Sequence, residues 1–452
     1  MEFLPFYDKL EDSVKHARDV SGFRLPGWPL FIAGAVALFV AFVLYPPAIV
    51  GALNIALFLS PLWLPLLVIL AAWHLWLIMR RGEFIDKQET LLLEIRLPRN
   101  FEKTPLSMET VLAGIHHTKG ESNWYQKYWL GQVRPYWSLE IASIEGKVHF
   151  FIWTRAAFRK LVESAFYAQY PGVQLVEVDD YTRMLSATPE EWGVWGCDFK
   201  HTQPDPYPIK TYVEYGLDKV QKEHEQIDPL ANVIEFLGSM GKGENFWVQI
   251  IIRIHAGEKY GKTKEDGKPY TWRDEAKKLV DKIRQDTRQP YTDPASGEER
   301  PGFPSPTKGQ SDTIAAIERN TSKLAFDVGI RGVYVCEKDK FDGINITGMI
   351  GLWKPFNSEG WNGIKATHFG IDYADYPWEF GNEHRKDHMR RHVVEAYRRR
   401  QYFHDPFKMP DPMVMSTEEV ATIFHIPSQA VESPSLPRIQ SATGEAPANL
   451  PV

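Results

Sequence analysis

The hydrophobic and polar positions divide the chain into an apolar block near its start and a polar remainder with short, regular periodicities. From Trp28 to Met79 there is no Asp, Glu, Lys or Arg, and His74 alone titrates near neutral pH. One bilayer crossing takes roughly 20 apolar residues, so the block is long enough for two. Pro46, Pro47, Gly51, Asn54, Ser60 and Pro61 interrupt it, between a first span near Trp28 to Tyr45 and a second near Leu62 to Met79. The stretch from Ala48 to Leu59 is either a turn at the far membrane face or an extension of one span. A buried soluble hairpin fits less well, because uncharged runs of this length rarely belong to soluble cores. A cleaved signal peptide also fits poorly: the block starts late, is too long and has no clear small-residue cleavage pattern. A transmembrane helical hairpin over 28–79 is expected, preceded by a cytosolic segment, 1–27.

Beyond Arg81 the periodicity changes to strand, helix, strand, strand, helix, strand. Leu91 to Leu97 reads as an apolar strand, and Thr104 with Pro105 opens a helix carrying Leu106, Val111, Leu112 and Ile115. After an aromatic loop from Asn123 to Tyr136, Trp137, Leu139 and Ile141 alternate with polar or small residues. A Glu145-Gly146 turn then leads into Val148, Phe150 and Ile152, which makes a hairpin. Arg155 to Gln169 is amphipathic, and Pro171-Gly172 stops it before a strand from Val173 to Val178. This order predicts a ferredoxin-like (split βαβ) domain over 84–200.

A second, irregular unit of the same kind is expected over 209–380, after the Pro-rich connection from Pro204 to Pro208. It has a strand at Thr211 to Tyr215, a helix capped by Asp228 and opened by Pro229, and a central strand from Phe246 to His255. Helices at Trp272 to Arg284 and about Ser311 to Phe326 follow, separated by a Pro/Gly-rich loop from Pro290 to Pro306, and then a strand from Gly332 to Cys336. The repeated order of cap, proline and apolar helix suggests an internal duplication. A basic helix is expected over 381–409 and a linker-like tail over 410–452, where Pro, Ser and Ala accumulate. The fold class is therefore α+β behind a membrane hairpin.

Charge sets the orientation. Lys9, Lys15, Arg18 and Arg24 precede the apolar block and Arg80 and Arg81 follow it, while the connection between the spans is uncharged, so both termini are expected in the cytosol. Arg24, Trp28, Arg80 and Arg81 are the expected membrane-interface residues. Trp63, Trp73 and Trp76 also suit an interface, although the last two suit packing between spans equally well. Cys197 and Cys336 have no second cysteine at metal-binding or redox spacing, which fits a reducing compartment. A net charge of −6 supplies no global attraction to nucleic acid.

Four local motifs bear on chemistry. Ala256 to Thr263 fits a relaxed phosphate-loop pattern after a strand, but Gly267, Lys268 and Pro269 interrupt the helix whose N-terminus would have to meet the phosphates, so a solvated connection is the better account. His384, His388 and His392 share one helix face, yet Arg385, Lys386, Arg390 and Arg391 crowd the same turns and oppose a metal, so no cofactor or metal is expected. The same helix makes a basic patch from Arg385, Lys386, Arg390, Arg391, Arg398, Arg399 and Arg400, interleaved with Tyr397, Tyr402 and Phe403. Nucleic-acid backbone, anionic lipid or an acidic protein surface would suit it. His116, His117 and both cysteines read as structural.

Several stretches together resemble the membrane-anchored N-terminal region of the ATPases of conjugation-type (type IV secretion-like) DNA-transfer systems in bacteria. They are Tyr136 to Ile144 with Val148 to Trp153, Ala165 to Gly172, Asp228-Pro229-Leu230 with Trp247 to Ile250, and above all Ser416 to Pro427, with a Pro-Ala-Asn-Leu-Pro end. In such ATPases a segment like the last precedes the nucleotide-binding domain. No such domain follows here before Val452. The resemblance therefore implies a non-catalytic subunit of the bacterial inner membrane that docks or orients a secretion-type ATPase supplied in trans, in a homo-oligomer. The alternative is a membrane-tethered protein that binds DNA through the helix at 385–400. An enzyme with an unrecognised site is the third reading.

Overall fold

The computed structural model describes residues 27–98, 103–116, 123–184, 191–218, 227–260, 264, 267, 270–292, 299–367, 382–409, 411–427 and 438–439. The chain forms two compact units that divide between Trp76 and Leu77.

The apolar block folds into helices α1 (Gly27–Leu44), α2 (Pro46–Phe58) and α3 (Ser60–Asp86). The first break falls at Tyr45, before Pro46 and Pro47, where proline removes a backbone donor. Among the described residues α3 is the one helix long and apolar enough to cross a membrane, and it contains the whole expected second span. The expected first span is less regular: within it Val36–Leu44 passes the same test only together with Ile49–Phe58, from which it bends by 111°. No residue of α3 is buried, and Leu62, Leu66 and Ile69 are among its exposed side chains. Lys9, Lys15, Arg18 and Arg24 lie outside the described residues, as does the side chain of Trp28.

The second unit is α+β and is built on a ten-stranded, almost wholly antiparallel sheet. Strands β1 (Thr90–Pro98), β2 (Tyr136–Ile144), β3 (Lys147–Arg155) and β4 (Gln174–Val178) enclose helices α4 (Pro105–Ile115) and α5 (Arg159–Gln169) in the chain order βαββαβ. In space they run β4-β1-β3-β2. The β2–β3 hairpin turns on Glu145 and Gly146, both at positive φ (51° and 82°), the torsion pattern of a tight hairpin turn. Glycine is required here for a second reason: a Cβ on Gly146 would lie 2.5 Å from the Met240 carbonyl oxygen.

Strands β5 (Trp192–His201), β6 (Glu244–Ile254), β9 (Ala325–Glu337) and β10 (Ile364–Thr367) repeat that spatial order as β10-β5-β9-β6. The halves join along β2 and β6, which pair antiparallel from Tyr136 against Arg253 to Ile144 against Asn245. Helix α6 (Pro229–Gly238) connects β5 to β6. Asp228 caps it, accepting from the Leu230 amide at 2.8 Å, with Pro229 in the first turn where its missing N–H costs nothing. Between β6 and β9 an excursion replaces the hairpin of the first half. It consists of α7 (Trp272–Asp286), the paired strands β7 (Arg288–Thr292) and β8 (Glu299–Pro304), and α8 (Lys308–Ser322). Ala276, Val280, Ile314 and Ile317 give α7 and α8 a small core of their own.

Several sequence expectations are corrected. The boundary after residue 200 would separate β5 from β9 and β10, its hydrogen-bonded partners. Thr211 to Tyr215 is a turn rather than a strand, and the Pro/Gly-rich loop carries β7 and β8. The expected tail is ordered from Met413 to Ile426: β11 (Met413–Ser416) pairs with β9, and α11 (Thr417–Ile423) lies wholly buried. Its apolar residues explain this, since Met415, Val420, Ile423 and Phe424 fill the main core. Further on, β12 (Arg438–Ile439) pairs in parallel with β1.

Both faces of the sheet are covered. Leu93, Leu139, Ile141, Phe150, Ile250 and Ile330 line the first face, against α4, α5, α6, α11 and the short helix α9 (Ile344–Gly351). On the second face, Phe151, Trp153, Trp247, Ile251 and Val333 lie beneath Tyr397, Tyr402 and Phe403.

Candidate functional site

Helix α10 (Asn382–Arg398) and the segment after it, to Pro412, form a strap over the second face. The helix ends because Arg400 takes positive φ (51°). The Arg400 amide bonds to the Tyr397 carbonyl at 3.0 Å and the Gln401 amide to the Ala396 carbonyl at 3.2 Å. This paired closure usually has glycine at the left-handed position. Arginine tolerates it here because its guanidinium is tied down twice. Nε donates to Glu140 Oε1 at 3.0 Å, Nη2 to Glu140 Oε2 at 3.3 Å and to Asp180 Oδ1 at 3.1 Å, and Nη1 pairs with the same aspartate.

Beneath the strap lies a polar row that crosses four strands in register: Glu140 of β2 opposite Gln249 of β6, Gln249 opposite Arg331 of β9, and Arg331 opposite Asp198 of β5. All four side chains are buried, so each needs a partner. Glu140 accepts from Ser138 Oγ at 2.7 Å, from Tyr181 at 2.8 Å and from Gln249 Nε2 at 3.1 Å. Tyr181, whose proton goes to Glu140, receives the Tyr397 hydroxyl at 2.7 Å. Arg331 pairs with Asp198 at 3.1 Å and faces the Tyr402 ring. The next row holds Arg253 opposite Asp327, paired at 2.8 Å, with the Phe403 ring 4.3 Å from the guanidinium. Between the rows Gly329 leaves room for Tyr402: a Cβ there would stand 2.5 Å from the ring.

The electrostatics make this layer a clamp. Burial works against ionisation of Asp180, but Arg400 and Thr182 together hold its carboxyl below the ordinary range. Burial, then Glu140, pushes the Tyr181 and Tyr397 hydroxyls far above theirs, so both are neutral donors. Both cysteines are buried in strands, and burial raises both thiols, Cys336 to about 11. Among the described residues no group of three His, Cys, Asp or Glu is placed to hold a metal.

The expected basic patch is therefore divided. Arg400 is 1% exposed and belongs to the clamp, a correction whose cause is the reversal of the chain at positive φ. Tyr397, Tyr402 and Phe403 are buried and cannot stack on bases. Arg390 pairs with Asp387 at 2.8 Å, and Arg398 and Arg399 share Glu395 at 3.1 and 3.3 Å. Lys386 is half-buried, and the side chains of His384 and Arg385 lie outside the described residues. Arg391 is exposed with no ion pair among the described residues. His388 and His392 are both exposed, and His392 also packs 4.8 Å from the Phe407 ring, its pKa lowered by partial burial, then by Arg331 and His388. At the other predicted site, Arg80 pairs with Glu83 at 2.6 Å and donates to the Trp129 carbonyl at 3.2 Å, and Arg81 is half-buried. In the phosphate-loop-like stretch Lys259 pairs with Asp205 at 2.5 Å, and Gly261, Lys262 and Thr263 lie outside the described residues.

Sequence reasoning missed Glu140, Asp180, Gln249 and Arg331. A signal existed: each occurs in or beside a strand-like run, and alternation puts Glu140, Gln249 and Arg331 opposite the apolar side. A polar side of a strand ordinarily faces water, and only the strap reverses that reading.

A comparison with curated proteins gives no match. A family profile described as "Domain of unknown function (DUF8128)" matches residues 81–438, which takes in the sheet, the strap and the helices of the first face. With the match extending over most of the chain, this protein belongs to the DUF8128 family.

Proposed function

We propose that the chain is a non-catalytic, membrane-anchored subunit of a bacterial type IV secretion or conjugation-like assembly, in which the α+β unit docks or orients a translocation ATPase. The observation that carries this reading is α3, uncharged through Met79 and without one buried residue, because a helix that is apolar all round needs lipid or a protein core around it. The anchor is a two-span hairpin in the inner membrane with both ends in the cytosol, which agrees with the flanking positive charge. The two halves of the sheet are split βαβ units related by duplication, and their shared strand order supports this. A ring-like homo-oligomer follows from the resemblance alone.

Membranes from cells expressing the full chain test the anchor. The protein should stay in the pellet through alkaline carbonate and leave it only with detergent, and a secretion-type ATPase should co-purify from the native host. Release by carbonate would remove the anchor, and repeated purification without an ATPase would remove the docking role.

DNA binding through α10 is the second reading, favoured by Arg391, which is exposed and makes no ion pair among the described residues. With Arg391 and Arg399 as the outward cations, log affinity should fall against log salt with a slope of about −2. Binding should vanish in the Arg391→Glu, Arg399→Glu double variant. Binding indifferent to salt or to those changes would discard this reading.

A further inference from the structure

The far end of the strap borders an open cavity of about 290 Å³, lined by residues of the sheet, the strap and the last turns of α3. Its lining carries Arg81, Lys127, Arg253, Lys259 and Lys408 against two carboxylates, Asp327 and Asp411. Some of these charges are already committed. Asp327 takes Arg253 at 2.8 Å and His255 at 2.6 Å, and Lys259 takes Asp205. Arg81 and Lys408 make no ion pair among the described residues, and Lys408 is exposed.

His404, also in the lining, has a buried Nε2 with no hydrogen-bond partner among the described residues. Burial first, then Arg253, Arg81, Arg134 and Lys408, depresses its pKa far below that of a free imidazole. The ring is therefore a neutral donor or acceptor surrounded by cations. Such a site is short of negative charge and of a hydrogen-bond partner for one ring nitrogen, and a phosphate group supplies both.

We propose that this cavity binds a phosphate group, with Arg81 and Lys408 as its charge partners and His404 Nε2 as a hydrogen-bond partner. A lipid headgroup is one source, since Arg81 is the second charged residue after the apolar run of α3; that source alone rests on the membrane reading. A soluble phosphate ester is the other.

The test uses the full chain in neutral detergent at constant ionic strength, with glycerol 3-phosphate followed by calorimetry and phosphatidic acid against phosphatidylcholine followed by native mass spectrometry. The expected result is retention of phosphatidic acid over phosphatidylcholine and competition by glycerol 3-phosphate. Lys408→Gln and Arg81→Gln should each weaken binding about tenfold, the loss of one charge-assisted bond. Lys408 is exposed, so its variant reports even where Arg81→Gln perturbs folding. Glycerol 3-phosphate binding without lipid selectivity would keep the phosphate site and assign it a soluble ligand. Absence of both, or binding unchanged in both variants, would overturn the site while leaving the carbonate-extraction result untouched.

Discussion

Replacing Arg400 by alanine is expected to lower the unfolding free energy of the α+β unit by about 3–5 kcal/mol, the cost of leaving buried carboxylates without their cation. Glu140 would keep Ser138, Tyr181 and Gln249, but it would lose two guanidinium bonds, and Asp180 would lose its guanidinium partner. Backbone geometry leaves that cost unchanged, since alanine at φ 51° carries the same left-handed strain as the arginine it replaces. Arg400→Gly relieves that strain and should recover about 1 kcal/mol relative to Arg400→Ala. Denaturant unfolding of the three proteins, with hydrogen exchange across residues 382–409, measures this. An Arg400→Ala loss below about 1 kcal/mol would mean that the clamp does not hold the strap. The effect should also depend on acid. Arg400 depresses the folded-state pKa of Asp180, so that stabilisation is present above the unfolded value of about 3.9 and is lost as pH falls through the folded one. The gap between wild type and Arg400→Ala should narrow accordingly below about pH 4.

Arg400 also shows why the basic run was misread. Three consecutive arginines at a helix end ordinarily point to water, and nothing local distinguishes the third. What turns it inward is a pair of carboxylates more than two hundred positions earlier, on β2 and just after β4. The first four strands were legible because their signals are local: a turn dipeptide, a proline after a cap, and alternation on strands with one clearly apolar face. In β9, by contrast, Phe326, Val328 and Ile330 alternate with Asp327, Gly329 and Arg331, and both sets are buried. The charges hid the strand's beginning, so the sequence reading extended a helix to Phe326 where α8 ends at Ser322. In β5, the prolines that follow suggested a domain boundary, although the strand's partners come much later in the chain. Pairing across that distance leaves no periodic trace.

The stretches that carry the resemblance have a structural logic. Ser416 to Pro427 ties three parts of the first face together. Glu418 pairs with Lys323 at 2.7 Å and Arg319 at 3.0 Å of the α8 region, and Thr422 accepts the Tyr212 amide at 3.0 Å. His425 meets Asp228, the cap of α6, at 3.0 Å. Two of the quoted motifs thus touch each other, and Tyr136 to Ile144 with Trp247 to Ile250 supply Glu140 and Gln249 to the clamp. Each of these residues satisfies a buried partner in another stretch, a structural role that assigns none of them to chemistry.

Glu419 should make stability fall as pH rises. It is fully buried, and burial pushes its carboxyl up to about 7 against the partial opposition of His201 and the amides of Ser416 and Ile209. A carboxyl whose folded pKa lies above its unfolded value of 4.5 stabilises fully below pH 4.5, and the contribution disappears as pH climbs through the folded value. Between pH 5 and pH 8 the loss amounts to roughly 2–3 kcal/mol. His425, raised by Asp228 despite its burial, has the same sign, whereas His404, depressed by burial and by its surrounding cations, has the opposite one. The difference between wild type and Glu419→Gln isolates the carboxyl. Glutamine keeps one acceptor oxygen but presents an NH₂ to the other amide, of Ser416 or Ile209, costing about 1 kcal/mol at every pH. The two stability curves should therefore cross, with the variant weaker at pH 5 and stronger at pH 8. A constant difference across that range would show that Glu419 is ionised throughout, and that the two amides, with His201, outweigh its burial.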